Sequence, residues 1–439
     1  MANHLSRRTF LQASALATAG MTTGSASAAE VKSPNEKVNL AGVGVGGKGW
    51  SDLNAASAGH NVIAFCDVDQ SGNKRRGGFA AAAKQWPKAR RYTDWREMLD
   101  KEAKHLDGVT VSTPDHMHAP VTMTAMHLGL GVYTQKPLTR TMLEARRLTE
   151  HAKKSGVVTQ MGNQHHSGSP YRTLVHMIQD GVLGKIKEAH AWSNRPIWPQ
   201  GIDRPAGSHA VPKGFNWDLW LGVAAERPYV KETYHPFKWR GWYDFGAGAL
   251  GDMGCHIIDP VVWALELGPP TSVGYEGPEP NKETFPAWEV LNYEFPGTKF
   301  TADKTFRATW RDGGKLPPEK LALLPKGQSL PANGTLFVGE KGTVVTPHGK
   351  PPKLFPQEKF ADFEIPTVEG DNHYLQWTNA IRGEGKTTAN FGYAGPLTET
   401  VLLGVVASRF PSETLRWDSD QFKVLNVPAA NDYLQEDYR

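Results

Sequence analysis

The chain has 439 residues, more than one hydrophobic core usually supports, so two domains are expected behind any leader segment. With 49 Lys plus Arg against 45 Asp plus Glu and 39% hydrophobic residues, it is neither a polyanion binder nor a disordered chain, and two cysteines exclude a disulfide scaffold. Its 14 Trp exceed what such a core needs and direct attention to a ligand with faces to stack on.

The first segment, residues 1–28, carries Arg7 and Arg8 before Phe10 and Leu11, then an apolar run from Ala13 to Met21 and a small-residue end at Ala26, Ser27 and Ala28. It reads as a twin-arginine export signal with an A-x-A cleavage site, which implies a periplasmic or otherwise exported protein. The run is far short of the ~20 residues that span a bilayer, so no stable membrane anchor is expected. Residues 29–37 read as a linker. Cys66 and Cys255 read as buried, unpaired thiols.

Residues 38–160 form the first domain. Val38 to Ala41 runs as an apolar strand into Gly42-Val43-Gly44-Val45-Gly46-Gly47, a G-x-G-x-x-G in its required strand-to-helix context. Gly42 permits the tight turn, Gly44 lets backbone amides approach a pyrophosphate, and Gly47 allows close helix-to-strand packing. A second apolar strand, Asn61 to Cys66, ends at Asp67, twenty residues after Gly47, where a carboxylate meets the adenosine ribose. Asp67 favours NAD; Lys74, Arg75 and Arg76 nearby could offset its charge, which keeps NADP open. Strands at Gly108 to Thr113, Gly131 to Thr134 and Gly156 to Gln160, with a helix from Ala119 to Leu128, continue a βαβ alternation and predict a parallel sheet.

Residues 161–439 form the second domain. A helix near Pro170 to Asp180 precedes strands at Ile186 to Asn194, Trp288 to Phe295 and Phe300 to Trp310, and a hairpin from Thr335 to Val345 turning at Glu340-Lys341-Gly342. Helices return at Asn372 to Ile381 and Pro396 to Phe410, and Ser419 to Arg439 reads as an edge strand plus tail. Asp252 and His256 are four apart, so on a helix both project from one face. Pro260, which cannot bond the carbonyl of His256, either kinks that helix or belongs to a later one. Six Trp fall between residues 192 and 242 beside Arg240, Tyr243 and Asp244, an arrangement suited to a carbohydrate that stacks its C–H faces and hydrogen-bonds its hydroxyls. Trp239, Arg240, Tyr243 and Asp244, on the approach to Asp252, are the substrate-binding candidates. His116/His118 and His165/His166 lack a carboxylate or thiolate at ligand spacing, so no metal is expected. No basic stripe or repeat suggests a nucleic-acid partner.

These features together resemble the glucose-fructose oxidoreductase, inositol dehydrogenase and MocA family (Gfo/Idh/MocA). They are Gly42 to Gly47, Asp67, Tyr92-Thr93-Asp94, Thr113-Pro114 with His118, Gln135-Lys136-Pro137, and Gly246-Ala247-Gly248 leading to Asp252 and His256. The resemblance implies an α/β Rossmann domain followed by an α+β domain with an open, mostly antiparallel sheet, and a homodimer or homotetramer. It implies that Gly42, Gly44, Gly46, Gly47, Asp67, Thr113, Pro114, His118, Gln135 and Lys136 bind the dinucleotide. It also implies Lys136, Asp252 and His256 as catalytic group: His256 takes a hydroxyl proton, Lys136 stabilises the developing alkoxide and Asp252 orients. One departure stands out, Gln135 where the family has Glu, which predicts a weaker field around Lys136. Pro137 is a site at which a cis bond to Lys136 costs little.

The expected activity is hydride transfer between a tightly held NAD(P) and a hydroxyl or keto carbon of a sugar, polyol or glycoside. Tight retention follows from export to a compartment poor in free nucleotide. The alternatives are an NAD-dependent glycosidase or lyase working through a transient 3-keto sugar, outside the paired-carboxylate scheme, and a nucleotide-dependent sugar-binding protein without turnover. Intact Lys136-Pro137 ranks the oxidoreductase first.

Overall fold

Two sheets organise the chain. A computed structural model describes residues 36–71 and 76–439; residues 1–28, read above as an export signal, most of the expected linker, and Lys74 and Arg75 lie outside the described residues. The first sheet is six-stranded and parallel: β1 Asn39–Val43, β2 Asn61–Cys66, β3 Arg90–Tyr92, β4 Gly108–Val111, β5 Gly131–Thr134 and β6 Thr159–Met161, in the order β3-β2-β1-β4-β5-β6. Every residue of β4 and β5 is buried, as strands covered on both faces require. The strand order reverses between β1 and β4, and at such a point an open α/β sheet leaves a crevice beyond its carboxyl ends.

The second sheet has nine strands: β7 Ile186–Trp192, β8 Ser272–Glu276, β9 Val290–Pro296, β10 Thr305–Arg311, β11 Gly334–Gly339, β12 Thr343–Pro347, β13 Lys353–Phe355, β14 Thr414–Asp418 and β15 Lys423–Val424. Their order is β13-β12-β11-β7-β10-β9-β8-β14-β15, with β7 and β10 parallel and the other pairs antiparallel. The Rossmann-plus-antiparallel reading is thus borne out. Helix Phe391–Ala407 packs against helix Met142–Ser155 of the first domain, and Arg146 reinforces the contact with a two-pronged bond to Glu399 at 2.7 and 2.8 Å. Among the described residues no helix is long and apolar enough to cross a membrane.

Local differences have local causes. Gly156 does not start a strand; it ends helix Met142–Ser155 in the left-handed conformation at φ 69°, so the strand begins at Thr159. The last long helix starts at Phe391 because the Asn390 side chain caps it, and Pro396 lies inside it. The terminal edge strand is the short β15 Lys423–Val424, within the stretch from Ser419 to Arg439, and it pairs with β14, which lies inside the sheet. Pro260 opens a second helix, Asp259–Leu265, so Asp252 and His256 both sit in the uninterrupted helix Gly248–Ile257.

The tryptophans answer a structural need. Trp217, Trp220 and Trp242 stack with Tyr234 and Phe245 into a core of their own under the long connection between β7 and helix Gly248–Ile257. Trp192 sits in a different cluster with Leu330 and Leu336. Stacking on a glycan requires an open indole face, and these faces are used on one another; only Trp220 and Trp239 of the six reach the crevice. Trp242→Ala is therefore expected to cost about 3–5 kcal/mol of stability in urea unfolding, the range for a deleted core Trp.

Candidate active site

The nucleotide cradle follows from β1 and the turn after it. Gly44 (φ +78°) and Gly47 (φ +59°) adopt backbone that side chains disfavour, and a Cβ on Gly44 would lie 2.7 Å from the Ser112 carbonyl oxygen. The close helix approach assigned to Gly47 belongs instead to Gly49, whose Cβ would lie 2.0 Å from the Gly44 carbonyl oxygen, and to Gly42, whose Cβ would lie 2.7 Å from Leu53 Cδ2. Nothing stands within 4 Å of a Cβ on Gly47, which is the residue before the helix. Gly46 lies over Asp67 and bridges Gly77. The Asp67 carboxylate accepts the Val45 amide at 2.9 Å and the Asp69 amide at 3.0 Å, while burial raises its pKa.

A cavity of about 530 Å³ opens from this cradle along Asp67, Thr113, Pro114 and Gln135 to Lys136. Its far wall comes from the second domain. The Gln70 amide donates to the Gly214 carbonyl (2.8 Å), the Asn216 amide to the Val68 carbonyl (2.9 Å), and His235 Nε2 pairs with Asp69 at 2.7 Å, so Trp220, His235 and Trp239 close over the cradle. His116 packs against the same cover, its ring nitrogens 3.3 Å from the Phe245 and 3.0 Å from the Trp220 carbonyl oxygen; burial lowers its pKa to about 3, so its one ring N–H serves one of the two. Asp69 and His235 were not legible in the sequence, since 166 residues separate them.

His118 holds the far end. Its ring nitrogens lie 2.8 Å from the Pro137 carbonyl oxygen and 2.9 Å from that of Thr113, and burial lowers its pKa to about 4, so the neutral ring fits between the two turns and donates its one N–H to one of these carbonyls. The Lys136–Pro137 bond is cis. The Gln135 side chain accepts the Lys136 backbone amide at 3.4 Å, while its own amide donates to Asp52 at 2.8 Å; the same buried carboxylate accepts from Ser112 Oγ (2.9 Å) and Tyr374 OH (2.9 Å) and pairs with Lys48. A Glu at 135 would set a second carboxylate against Asp52. The expected weak field around Lys136 is corrected accordingly, because Asp252 supplies its anionic partner.

Lys136 Nζ donates to Asp252 Oδ1 at 2.8 Å and to the Asp252 carbonyl at 2.6 Å, and Arg240 Nε donates to the same Oδ1 at 3.1 Å. Burial alone would raise the Asp252 carboxyl; the Lys136 and Arg240 charges outweigh it and hold the pKa at about 2. One turn on, His256 Nδ1 lies 2.6 Å from Asn163 Oδ1. Burial first, then the Lys136 charge, keeps the ring well below its usual pKa and therefore neutral. With Nδ1 donating to Asn163, Nε2 keeps its lone pair. Asp252 and His256 do not line the cavity themselves; Asp252 joins it through Lys136 and Arg240, which do.

Of the substrate candidates, Trp239 and Arg240 line the cavity, with the guanidinium 4.2 Å from the Trp239 ring. Tyr243 and Asp244 do not. The Tyr243 amide is bonded to the Glu283 carbonyl and its ring packs on Phe285 and Arg409, while Asp244 is paired with Arg227. Asp115, which the sequence did not single out, lies on the cavity wall and accepts the Ala247 amide at 3.1 Å; burial raises its carboxyl to about 7.

Residues 37–163 match the family described as "Oxidoreductase family, NAD-binding Rossmann fold", and residues 171–304 match "Oxidoreductase family, C-terminal alpha/beta domain". The chain belongs to the Gfo/Idh/MocA oxidoreductase family, and its first domain is an NAD-binding Rossmann domain. It is 21% identical over 395 residues to the uncharacterized oxidoreductase YdgJ of Escherichia coli (strain K12), covering 86% of this chain and 97% of that one. It is 26% identical over 232 residues to glycosyl hydrolase family 109 protein 1 of Shewanella sp. (strain ANA-3), covering 47% of this chain and 50% of that protein. Matches to such sugar-converting relatives span half of their length or less. Among solved structures, the WlbA dehydrogenase of Bordetella pertussis, in complex with NADH and UDP-GlcNAcA, superposes with a TM-score of 0.61 at 17% identity, covering 87% of this chain and 99% of that one.

The Asp115 carboxyl gives a pH signature. Its folded pKa, about 7, lies above the ordinary 3.8, so the folded protein holds a proton that the unfolded chain releases between those values. That contribution to stability is complete below 3.8 and is lost as pH rises through about 7. Asp115→Asn is expected to flatten the decline in melting temperature over this window.

Proposed function

We propose that the protein transfers hydride between bound NAD and a hydroxyl-bearing carbon of a sugar or sugar derivative. The observation that carries this reading is the Lys136–Asp252 bond at 2.8 Å at the end of the nucleotide crevice, one helical turn from a neutral His256. The glycine turn, with its excluded Cβ at Gly44, and Asp67 at the floor fit a dinucleotide, and Thr113, Pro114, Gln135 and Lys136 would flank its reactive end. Bound NAD supplies the hydride acceptor or donor.

The chain supplies the proton chemistry and the orientation. Lys136 gives two of its three ammonium N–H groups to Asp252, and the third is available to the substrate oxygen, where it stabilises developing negative charge. His256 Nε2 takes the hydroxyl proton, and Asn163 fixes the tautomer that makes this possible. Asp252 holds Lys136 and Arg240 in register. Arg240, held against the Trp239 ring, offers the substrate donors. The cover formed by Trp220, His235 and Trp239 retains the nucleotide, which suits an exported enzyme that loads its cofactor before leaving the cytoplasm.

The test is the near-ultraviolet absorbance of bound nicotinamide during titration with sugars and glycosides; no change across a broad panel overturns the reading. Lys136→Ala is expected to lower kcat/KM by about 10²–10³-fold, the scale for a lost donor to a developing oxyanion. Nucleotide released on denaturing the purified variant should stay at the wild-type amount, as read by mass spectrometry.

A second reading is supported by the likeness to the glycosyl hydrolase family 109 protein: transient oxidation of a glycoside, elimination across the acidified C–H, addition of water and re-reduction. Turnover of a glycoside in heavy water then places deuterium on the released sugar beside the oxidised carbon. Simple dehydrogenation leaves that position unlabelled.

A further inference from the structure

The charges around Asp252 do not balance. Lys136 Nζ at 2.8 Å, Arg240 Nε at 3.1 Å and Arg195 Nε at 3.9 Å converge on this one carboxylate. Even with Asp115 counted as ionised, three cations face two acids. The four converging side chains are 12–26% exposed, so the excess charge is reachable from solvent. The guanidinium groups are also incompletely used: Arg240 gives Nη1 to the Phe237 carbonyl and Arg195 gives Nη1 to Asn194, and neither Nη2 has a partner among the described residues.

Imidazoles adjoin the same place. His165 and His348 have ring centroids 4.4 Å apart, and these lie 5.8 and 5.5 Å from that of His256. His348 Nδ1 lies 2.9 Å from the Tyr171 hydroxyl; with that hydroxyl donating, Nε2 carries the hydrogen and is itself a donor. His348 thus stands beside His256, which is one helical turn from Asp252, and burial lowers its pKa to about 4, so its ring is neutral. The Lys136 ammonium already supplies the positive charge that a neutral hydroxyl substrate needs at its reacting oxygen, so the partly buried Arg195 and Arg240 are in excess of it and repel one another until an anion arrives.

We propose that the substrate is an acidic sugar, whose carboxylate or phosphate is held by Arg195, Arg240 and His348 beside the Lys136–Asp252 pair. This rests on the hydride-transfer reading and narrows its substrate class. With the other nitrogens engaged, each guanidinium keeps one Nη2 to give, and the two together suit two oxygens of either anion. The sequence did not point to this subsite, because Arg195 and Arg240 stand at opposite ends of the long connection after β7 and His348 follows β12.

The test uses the cofactor-loaded protein and matched probes: D-glucuronate with D-glucose, D-galacturonate with D-galactose, and glucose 6-phosphate. Isothermal titration reads binding and nicotinamide absorbance reads turnover. The expected result is at least one anion bound about tenfold or more tightly than its neutral counterpart. The preference should shrink in 0.5 M salt (on the order of a 4 Å screening length), be lost in Arg195→Gln, and return in Arg195→Lys. Preference for the uronates assigns a carboxylate, and preference for the phosphate assigns a phosphate; either supports the subsite. Equal or weaker binding of every anion overturns it, even where a neutral sugar changes the absorbance and the hydride-transfer reading stands. Absorbance silent with every probe counts against that reading, while the titration still decides the charge preference.

Discussion

The site depends on one shared carboxylate. Asp252 receives Lys136 from the end of β5, Arg240 from the Trp-rich connection and, at longer range, Arg195 from the end of β7. Placing charges in a partly dry environment costs solvation, and such clusters are poor sources of stability unless each member is well paired. Here the cations overcome the burial of Asp252, which stays ionised with a pKa of about 2. The cluster is better understood as a positioning device that brings three remote stretches of chain to one point and leaves an ammonium N–H over.

The same economy appears behind Lys136. The family resemblance led to an expected Glu before Lys136-Pro137, and taken alone Gln135 in its place removes a charge. In the folded protein an acid is present one step away: Asp52, on the helix after the glycine turn, accepts from Gln135, Ser112 and Tyr374. An amide is the group that can donate to that carboxylate at 2.8 Å. The result is a network linking the phosphate-binding helix, the carboxyl ends of β4 and β5, and helix His373–Ile381, with Lys136 free to serve Asp252.

The cover over the crevice is the other organising feature. Its aromatic core explains the Trp surplus without a glycan, since indoles that fill one another's faces leave little to stack on a ligand. The cover meets the first domain through backbone bonds at Val68 and Gln70 and the Asp69–His235 pair, next to the residue that ends β2 and faces the cradle. Closure and cofactor recognition therefore share one short segment of chain.

By itself the sequence determined what is local. Alternating apolar runs and glycines at short spacing specify the parallel sheet, the phosphate turn and Asp67, and a four-residue interval specifies that Asp252 and His256 share a helix face, because strand pleat and helix pitch fix such relations within a few residues. It also named Lys136, Trp239 and Arg240. Contacts between distant segments were decided only by tertiary structure. Gln135 turned to Asp52, Tyr243 and Asp244 turned to Arg409 and Arg227, Gly49 took the packing role given to Gly47, Arg195 arrived beside Asp252, and His348 beside His256. The reason is physical: a side chain's partner depends on which remote group shares its buried space, and no periodicity along the chain encodes that.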